Sequence, residues 1–295
     1  MAFDWFIDLN TLPRITLVTP SYNQAAWLER TLQSVLGQGY PNLEYGVVDG
    51  GSTDGSLEIL ERYRDKLSFC IVEPDKGMYD AIQKGFARST GEIMGYLNSD
   101  DVLMPGALLT LARLFTDIGQ AEWITGYRCA VDELGCAVAL EPPKAWSAEA
   151  FVLDHKWIQQ ESTYWRRSLW ERAGATMRTD LKLAGDYELW YRFFRHAPLY
   201  STDALIGGFR VRSKNQASLE QLEAYEAEAA ELRNESPPSL VVMARVAKIR
   251  RHEALISKLK GIGKDALRRR LIKPLFSEVP RIRFDRRTQR FILPI

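Results

Sequence analysis

Four short segments of this sequence carry residues able to do chemistry: Pro20-Ser21-Tyr22-Asn23, Asp49-Gly50-Gly51-Ser52-Thr53-Asp54-Gly55, Glu73-Pro74-Asp75-Lys76-Gly77 and Asn98-Ser99-Asp100-Asp101. Together they offer one tyrosine and a set of carboxylates. Carboxylates gathered at one rim repel each other unless a cation or hydrogen-bond donors sit among them. All-oxygen ligands around an open position suit Mg²⁺ or Mn²⁺, ions that commonly bridge to substrate phosphates. The residues alone therefore point to a metal-assisted nucleotide site.

Each segment follows an apolar run, which implies how it is positioned. Residues 15–19, 43–48, 67–72 and 92–97 read as strands. Helical patterns occupy 25–36, with Asn23 as a plausible cap and Gly37 as stop, then Ser52-Thr53-Asp54 through about residue 64, and 78–88. Pro105 suits the first turn of a fourth helix. Strands alternating with helices at short spacing predict βαβ units and a mostly parallel sheet. In such sheets ligands bind beyond the carboxyl ends of the strands, where all four segments fall.

In their order, these motifs resemble the GT-A glycosyltransferases of family 2, the large inverting group. Residues 15–23 are similar to its opening V(T/I)P(S/T)YN segment, and Val47 through Gly55 to its VDGGSTDGT segment. Glu73-Pro74-Asp75-Lys76-Gly77-Met78-Tyr79-Asp80-Ala81 is similar to a run found in a subgroup that builds bacterial surface polysaccharides. Leu97 through Asp101 matches a form of the DXD motif, and Ala184-Gly185-Asp186-Tyr187-Glu188-Leu189-Trp190 the later (E/G)DYDLW motif. The resemblance spans residues 14–215 and implies a GT-A α/β fold with a mostly parallel central sheet. It divides the chain into a nucleotide-sugar half (14–104), an acceptor half (105–215) and a helical, basic C-terminal extension (216–295).

The resemblance also implies roles. The donor is a nucleotide-diphosphate sugar, foremost a UDP-sugar, and the acceptor a saccharide or lipid-linked saccharide. Thr19, Pro20 and Tyr22 border the nucleotide, with Tyr22 stacking on the base; Asp49 and Asp75 hold base and ribose. Asp100 and Asp101 bind the divalent cation, whose charge offsets the leaving diphosphate. Asp186 is the general base for the acceptor hydroxyl. Near a helix N-terminus its carboxylate is favoured by the helix dipole, which is expected to keep it ionised.

The chain departs from the family in three places. Arg212 stands where a histidine often follows Phe209-Arg210; it cannot ligate a metal but can contact diphosphate directly. Asn98 opens the DXD motif with a carbonyl in place of a carboxylate, and Gln159 replaces the histidine of a segment near the acceptor. Each assignment has a structural alternative. Asp100, Asp101 and Asp186 can cap helices, Asp49 can form a turn beside Gly50-Gly51, and Tyr22 can pack at a strand end. Trp157, Trp165, Trp170 and Trp190 are core material by default, although Trp157 lies in the stretch expected to face the acceptor.

Composition narrows the classes. The 295 residues are 46% apolar and 26% charged, which fits a folded domain with a sizeable core. Cys70, Cys129 and Cys136 form no CxxC pair, as in a reducing compartment, and Met1 through Asp8 carries two acids and no basic leader. A cytoplasmic protein is expected, soluble or peripheral at the inner membrane face. The net charge of +1 conceals an acidic body and a basic tail: residues 243–295 hold 16 Lys and Arg against 4 Asp and Glu. Apolar residues 242, 246, 249, 256, 259 and 267 recur among these bases at roughly helical spacing, after an acidic helix over 215–233 and a break at Pro237-Pro238. A basic amphipathic helix suits an anionic membrane surface, or a clasp on the acidic body. No nucleic-acid motif accompanies the charge. Gly261 through Ala266 matches GxGxxA but follows no strand, and no Walker-A or HExxH pattern occurs. Two other classes compete: a sugar nucleotidyltransferase, whose Gly-rich N-terminal loop is missing, and a non-catalytic scaffold of a polysaccharide assembly complex, against which the retained Asp100, Asp101 and Asp186 argue.

Overall fold

The computed structural model describes residues 11–144, 146–154, 157–213, 221–235, 239–259 and 263–294. His155, Lys214, the 215/216 boundary, the Pro237-Pro238 break and Gly261-Ile262 lie outside the described residues.

The first half alternates strand and helix as the spacing predicts. Strands β1 (Ile15–Ser21), β2 (Leu43–Asp49), β3 (Phe69–Val72) and β4 (Ile93–Tyr96) are linked by α1 (Ala25–Leu36), α2 (Ser56–Tyr63) and α3 (Met78–Arg88). β1 is buried along its whole length because helices cover both faces of the sheet, which is why it lacks polar alternation. It pairs in parallel with β2 and β4, and β2 with β3, so their carboxyl ends share one edge. Two helix starts fall later than expected. Left-handed Gly55 (φ 99°) delays α2 to Ser56, and left-handed Gly106 (φ 77°) puts Pro105 ahead of α4 (Ala107–Asp117).

The second half interrupts the alternation. It comprises β5 (Val102–Leu103), β6 (Trp123–Thr125), β7 (Arg128–Val131), β8 (Ala137–Glu141), α5 (Ala148–Asp154), β9 (Thr163–Arg166), α6 (Arg167–Arg172), α7 (Gly185–Phe193), β10 (Tyr200–Thr202) and β11 (Gly207–Arg210). β9 runs antiparallel between β4 and β6. The extension adds α8 (Leu222–Glu235), α9 (Leu240–Ser257), α10 (Lys264–Leu271), β12 (Arg281–Asp285) and β13 (Arg290–Ile292). The large sheet has the order β13-β12-β10-β6-β9-β4-β1-β2-β3, and a smaller one the order β5-β11-β7-β8.

Apolar side chains fill both faces of the large sheet. α1 and α4 cover one face through Leu28, Leu32, Leu108, Leu111 and Phe115. On the other, Trp165 meets Trp190 edge-on at 5.5 Å and Trp123 stacks on Trp190 at 5.7 Å. Trp165, Trp170 and Trp190 are thus core.

The basic extension makes specific contacts with the body. Val246, Ile249 and Ile256 turn inward from α9, where Leu153 of α5 and Ile272 pack on Ile249 and Ile256. Arg245 pairs at 3.0 Å with Glu149, whose side chain is 0% exposed, and Ser277 donates its N–H to the same carboxylate. β12 then joins β10 in parallel, Ser201 opposite Arg281, and the hairpin to β13 completes the sheet edge. The short hairpin that the sequence allows over 281–295 is thus present as β12 and β13.

Candidate active site

A cleft of about 860 Å³ lies beyond the carboxyl ends of β1 to β4 and is closed on the far side by β7, α7 and α8. Pro20, Tyr22, Asp75, Asp100, Asp186 and Arg212, drawn from separate parts of the sequence, all line it. At one end Tyr22 stands 60% exposed beside Asp75. Gly50 forms the floor between them: a Cβ there would lie 2.7 Å from Asp75 Oδ2 and 3.2 Å from Tyr22 Cδ2. The missing side chain leaves a slot with an aromatic wall and a carboxylate wall, suited to a flat heterocycle.

The loops around this slot are tied by their own short polar side chains. Asp49 is fully buried; its Oδ1 accepts Gly51 N (3.0 Å) and Ser52 N (2.7 Å), and its Oδ2 accepts Ser52 Oγ (2.8 Å). That is the turn-forming alternative, and Asp49 does not reach the cleft. Thr19 is likewise buried, its hydroxyl 3.0 Å from that of Tyr45, so it supports the floor rather than touching a ligand. Asn23 does not cap α1. It adopts a left-handed φ of 50° and accepts Thr53 N, while Asp54 of the next loop accepts Ala25 N at the start of α1. Burial raises the pKa of Asp54, but hydrogen bonds from Ser56 and Ala25 prevail and hold it below the ordinary value.

The centre of the cleft is cationic and anionic at once. Arg212 Nη2 lies 3.0 Å from Asp100 Oδ2, and Arg212 Nη1 reaches Gln24 Oε1 at 3.3 Å. Asp101 is turned away. It is 1% exposed, with Oδ1 accepting Arg210 N at 2.9 Å and Oδ2 accepting Gln160 Nε2 at 3.3 Å. Both carboxylate oxygens of Asp101, expected to ligate the cation, are taken up in ties that latch the 98–101 loop to β11 and to Gln160. Buried Arg210 holds the same loop, donating from Nε to the Asp100 carbonyl at 2.6 Å and from Nη1 to the Asp132 carbonyl at 2.9 Å. Among the described residues no three His, Cys, Asp or Glu side chains converge as a metal cage. Asp100 remains at the cleft, and neighbouring Asn98 has a buried Oδ1 with no hydrogen-bond partner. One carboxylate and one orphaned carbonyl fit an Mg²⁺ or Mn²⁺ whose remaining ligands are substrate phosphates.

The far end holds two carboxylates, Glu161 buried and Asp186 half-buried at the cleft wall. Asp186 is the second residue of α7, and burial pushes its pKa up to about 7 despite the hydrogen bond from Tyr187 N at 2.8 Å. Desolvation thus outweighs the helix dipole, contrary to the expectation of a fully ionised group. Glu161 is also pushed up to about 7, chiefly by burial, and takes a 2.5 Å hydrogen bond from Gln159 Nε2. Trp157 faces the cleft as its position suggested, edge-on to Tyr225 at 6.1 Å. Tyr225 and Leu222 reach the cleft from α8, so the acidic helix is a wall of the site as well as a surface. Sequence reasoning missed Glu161, Arg210 and Tyr225; the Gln159-Gln160-Glu161 and Phe209-Arg210 segments carried the available signal. Ser21 Oγ, Tyr96 Oη, Asn98 Oδ1, Gln160 Oε1 and Tyr225 Oη are buried on cleft-lining residues without a hydrogen-bond partner. Each such group costs roughly 1–3 kcal/mol unless a ligand satisfies it.

With the geometry in place, comparison with known proteins identifies the class. The family model described as Glycosyl transferase family 2 matches residues 16–172, and the chain belongs to this family of glycosyltransferases. An uncharacterised glycosyltransferase of Rickettsia prowazekii is 26% identical over 223 residues, covering 72% of this chain and 70% of the relative. The putative teichuronic acid biosynthesis glycosyltransferase TuaG of Bacillus subtilis is 36% identical over 121 residues, 40% of this chain and 48% of its own. Among solved structures, S. aureus TarS 1–349 in complex with UDP-GlcNAc superposes with TM-score 0.61 at 18% identity, covering 89% of this chain and 80% of that one. The mannosyltransferase PcManGT from Pyrobaculum calidifontis, in complex with GDP-Man and Mn²⁺, gives 0.54 at 20% identity, with 92% and 84% covered. At these identities the likeness speaks for the fold, the expected α/β architecture with a mostly parallel central sheet.

Proposed function

We propose that this enzyme transfers a sugar from a nucleotide-diphosphate donor, a UDP-sugar, to a hydroxyl of a saccharide or lipid-linked saccharide, with inversion at the anomeric carbon. The observation that carries the reading is a cleft with a slot for a flat base at one end and a half-buried carboxylate of near-neutral pKa at the other. Tyr22 stacks on the base, and Asp75 accepts hydrogen bonds from base or ribose. Arg212 swings from Asp100 toward the diphosphate, for which its planar fork is suited. Asp100 and Asn98 hold the divalent cation against the same phosphates; when bound, the ion supplies Lewis-acid neutralisation of the departing charge. Asp186 takes the proton from the acceptor hydroxyl, and a base of pKa near the working pH is the effective one. A carboxylate acting across the sugar from the diphosphate gives a single displacement and an inverted product.

Surface polysaccharide synthesis is the setting supported by relatives such as TuaG. The purified chain, given a panel of nucleotide sugars with saccharide acceptors, is expected to release nucleoside diphosphate and form a product of inverted configuration. Pyrophosphate release from nucleoside triphosphates, or a retained configuration, would contradict the reading.

We further infer a station at the cytoplasmic face of the membrane, through residues 243–295. Among the described residues no helix is long and apolar enough to cross a membrane. Val241, Leu255 and Leu259 are nevertheless exposed on or just beyond α9 among Lys248, Arg251 and Lys258. Anionic lipid attracts each such base by about 1 kcal/mol. Sedimentation with anionic liposomes is expected to fall on reversing Lys248, Arg251 and Lys258 to Glu; unchanged sedimentation would remove the inference.

A further inference from the structure

Asp186 is aimed by the segment that leads into it. Backbone N–H groups ahead of a helix have no intrahelical acceptor and must find one elsewhere. Here three successive donors converge on one side chain of the extension. Lys182 N reaches Glu228 Oε1 at 2.9 Å, and Leu183 N and Ala184 N reach Glu228 Oε2 at 2.8 and 2.6 Å. From the opposite side Tyr79 of α3 donates its hydroxyl to the Leu183 carbonyl at 2.6 Å. Gly185 permits this closeness, since a Cβ there would lie 2.7 Å from the Tyr79 ring. The segment is thus clamped between α3 and α8.

α8 is itself anchored. Ala229 and Leu232 are buried in the core. Glu235 pairs with Arg178 at 3.2 Å, and Arg233 donates to the Tyr187 hydroxyl at 3.4 Å. α8 lies beyond residue 172, where the family match ends, yet it sets the backbone of the residue read as the base.

We propose that Glu228 is a positioning residue for Asp186: by gathering the N–H groups of residues 182–184 it fixes the direction of the base, making the C-terminal extension a working part of the site. The proposal rests on Asp186 being the base. Displacing a catalytic group by about 1 Å can cost on the order of 100-fold in rate. Titratable groups facing Asp186 are Tyr79 of α3, Tyr96 of β4, Glu161 ahead of β9, and Tyr225 and Glu228 of α8. Burial is the main cause of its raised pKa, and the charge of Glu228 adds to it.

The test uses the full chain and three variants, Glu228→Gln, Glu228→Ala and Asp186→Asn. Glu228→Gln keeps one carbonyl for the Leu183 and Ala184 donors and removes the charge. It is expected to lower kcat about 10-fold, and Glu228→Ala about 100-fold, with donor KM within about twofold. The acid limb of kcat/KM is expected to move to lower pH in Glu228→Gln, because a neighbouring negative charge no longer opposes ionisation of Asp186. Amide hydrogen exchange at 182–184 is expected to speed up in both variants, a readout independent of activity. Wild-type kcat and an unmoved acid limb in Glu228→Gln, beside an inactive Asp186→Asn, would overturn the positioning role and leave the proposed reaction standing. Activity surviving in Asp186→Asn would instead remove the base on which the role depends. Should Glu228→Ala not fold, the Gln variant alone decides.

Discussion

Around the slot proposed for the base, carboxylates are bound up by their own loops; around Asp186 they are partly desolvated and face the cavity. Asp49, Asp54 and Asp75 each accept backbone N–H groups from residues two or three positions further along. Asp186 and Glu161 have few such partners, and burial lifts both to about pH 7. A rigid recognition end can be built from short-range hydrogen bonds. A proton-accepting end needs a carboxylate whose charged form is disfavoured, and that takes burial by distant parts of the chain.

Three experiments bear on this contrast. The largest effect is expected at the junction of the two ends. Arg212→Ala removes the charged donor proposed for the diphosphate and should raise donor KM about 30-fold, as charge-assisted hydrogen bonds contribute roughly 1.5–3 kcal/mol. It also frees Asp100, so Mn²⁺ should restore part of the loss; an unchanged KM would place the diphosphate elsewhere. Next, Asp49→Ala and Asp186→Asn should move stability in opposite directions. Asp49→Ala leaves two backbone N–H groups and a hydroxyl without their acceptor and should lower Tm by about 5 °C.

The smallest effect carries the clearest sign. A carboxyl whose folded pKa is raised contributes its stability below the unfolded value, and that contribution is lost as pH rises through the folded value. For Asp186 the window runs from its ordinary 3.8 to about 7. Asp186→Asn should therefore raise Tm by on the order of 3 °C at pH 8 and change it little at pH 4. Equal signs for the two variants at pH 8 would break the contrast.

The same contrast explains what could be read from the sequence. Tyr22, Gly50 and Asp75 follow strands directly, so the parallel-sheet rule alone brings them to one edge. Which acid at that edge faces inward was not readable: Asp49 and Asp75 sit in similar Gly-containing loops, and only the turn around Gly51 and Ser52 consumes Asp49. Asp100 and Asp101 differ by one position, and the buried latch of Asp101 onto Arg210 N spans 109 residues. Asp186 was visible through its motif, but its pKa was not, because burial depends on Tyr79, Tyr96 and Tyr225 from three other elements. The glutamates of α8 recur as on a solvated helix, and nothing local marks Glu228 as an acceptor for residues 182–184. In the tail, the spacing of Val246, Ile249 and Ile256 marked an apolar face, without telling whether body or membrane would cover it. The pairing of β12 with β10 left no such pattern.

Along one cleft we propose a division of labour: recognition indifferent to pH near neutrality, and transfer governed by Asp186. It is tested most directly by following both with pH on one preparation, using an intact nucleotide sugar, whose diphosphate does not titrate near neutrality. Donor affinity should stay flat between pH 5.5 and 8.5, while kcat/KM should rise about tenfold per unit up to about pH 7 and then level. A transfer rate as flat as the affinity, or an affinity that falls together with the rate, would contradict it.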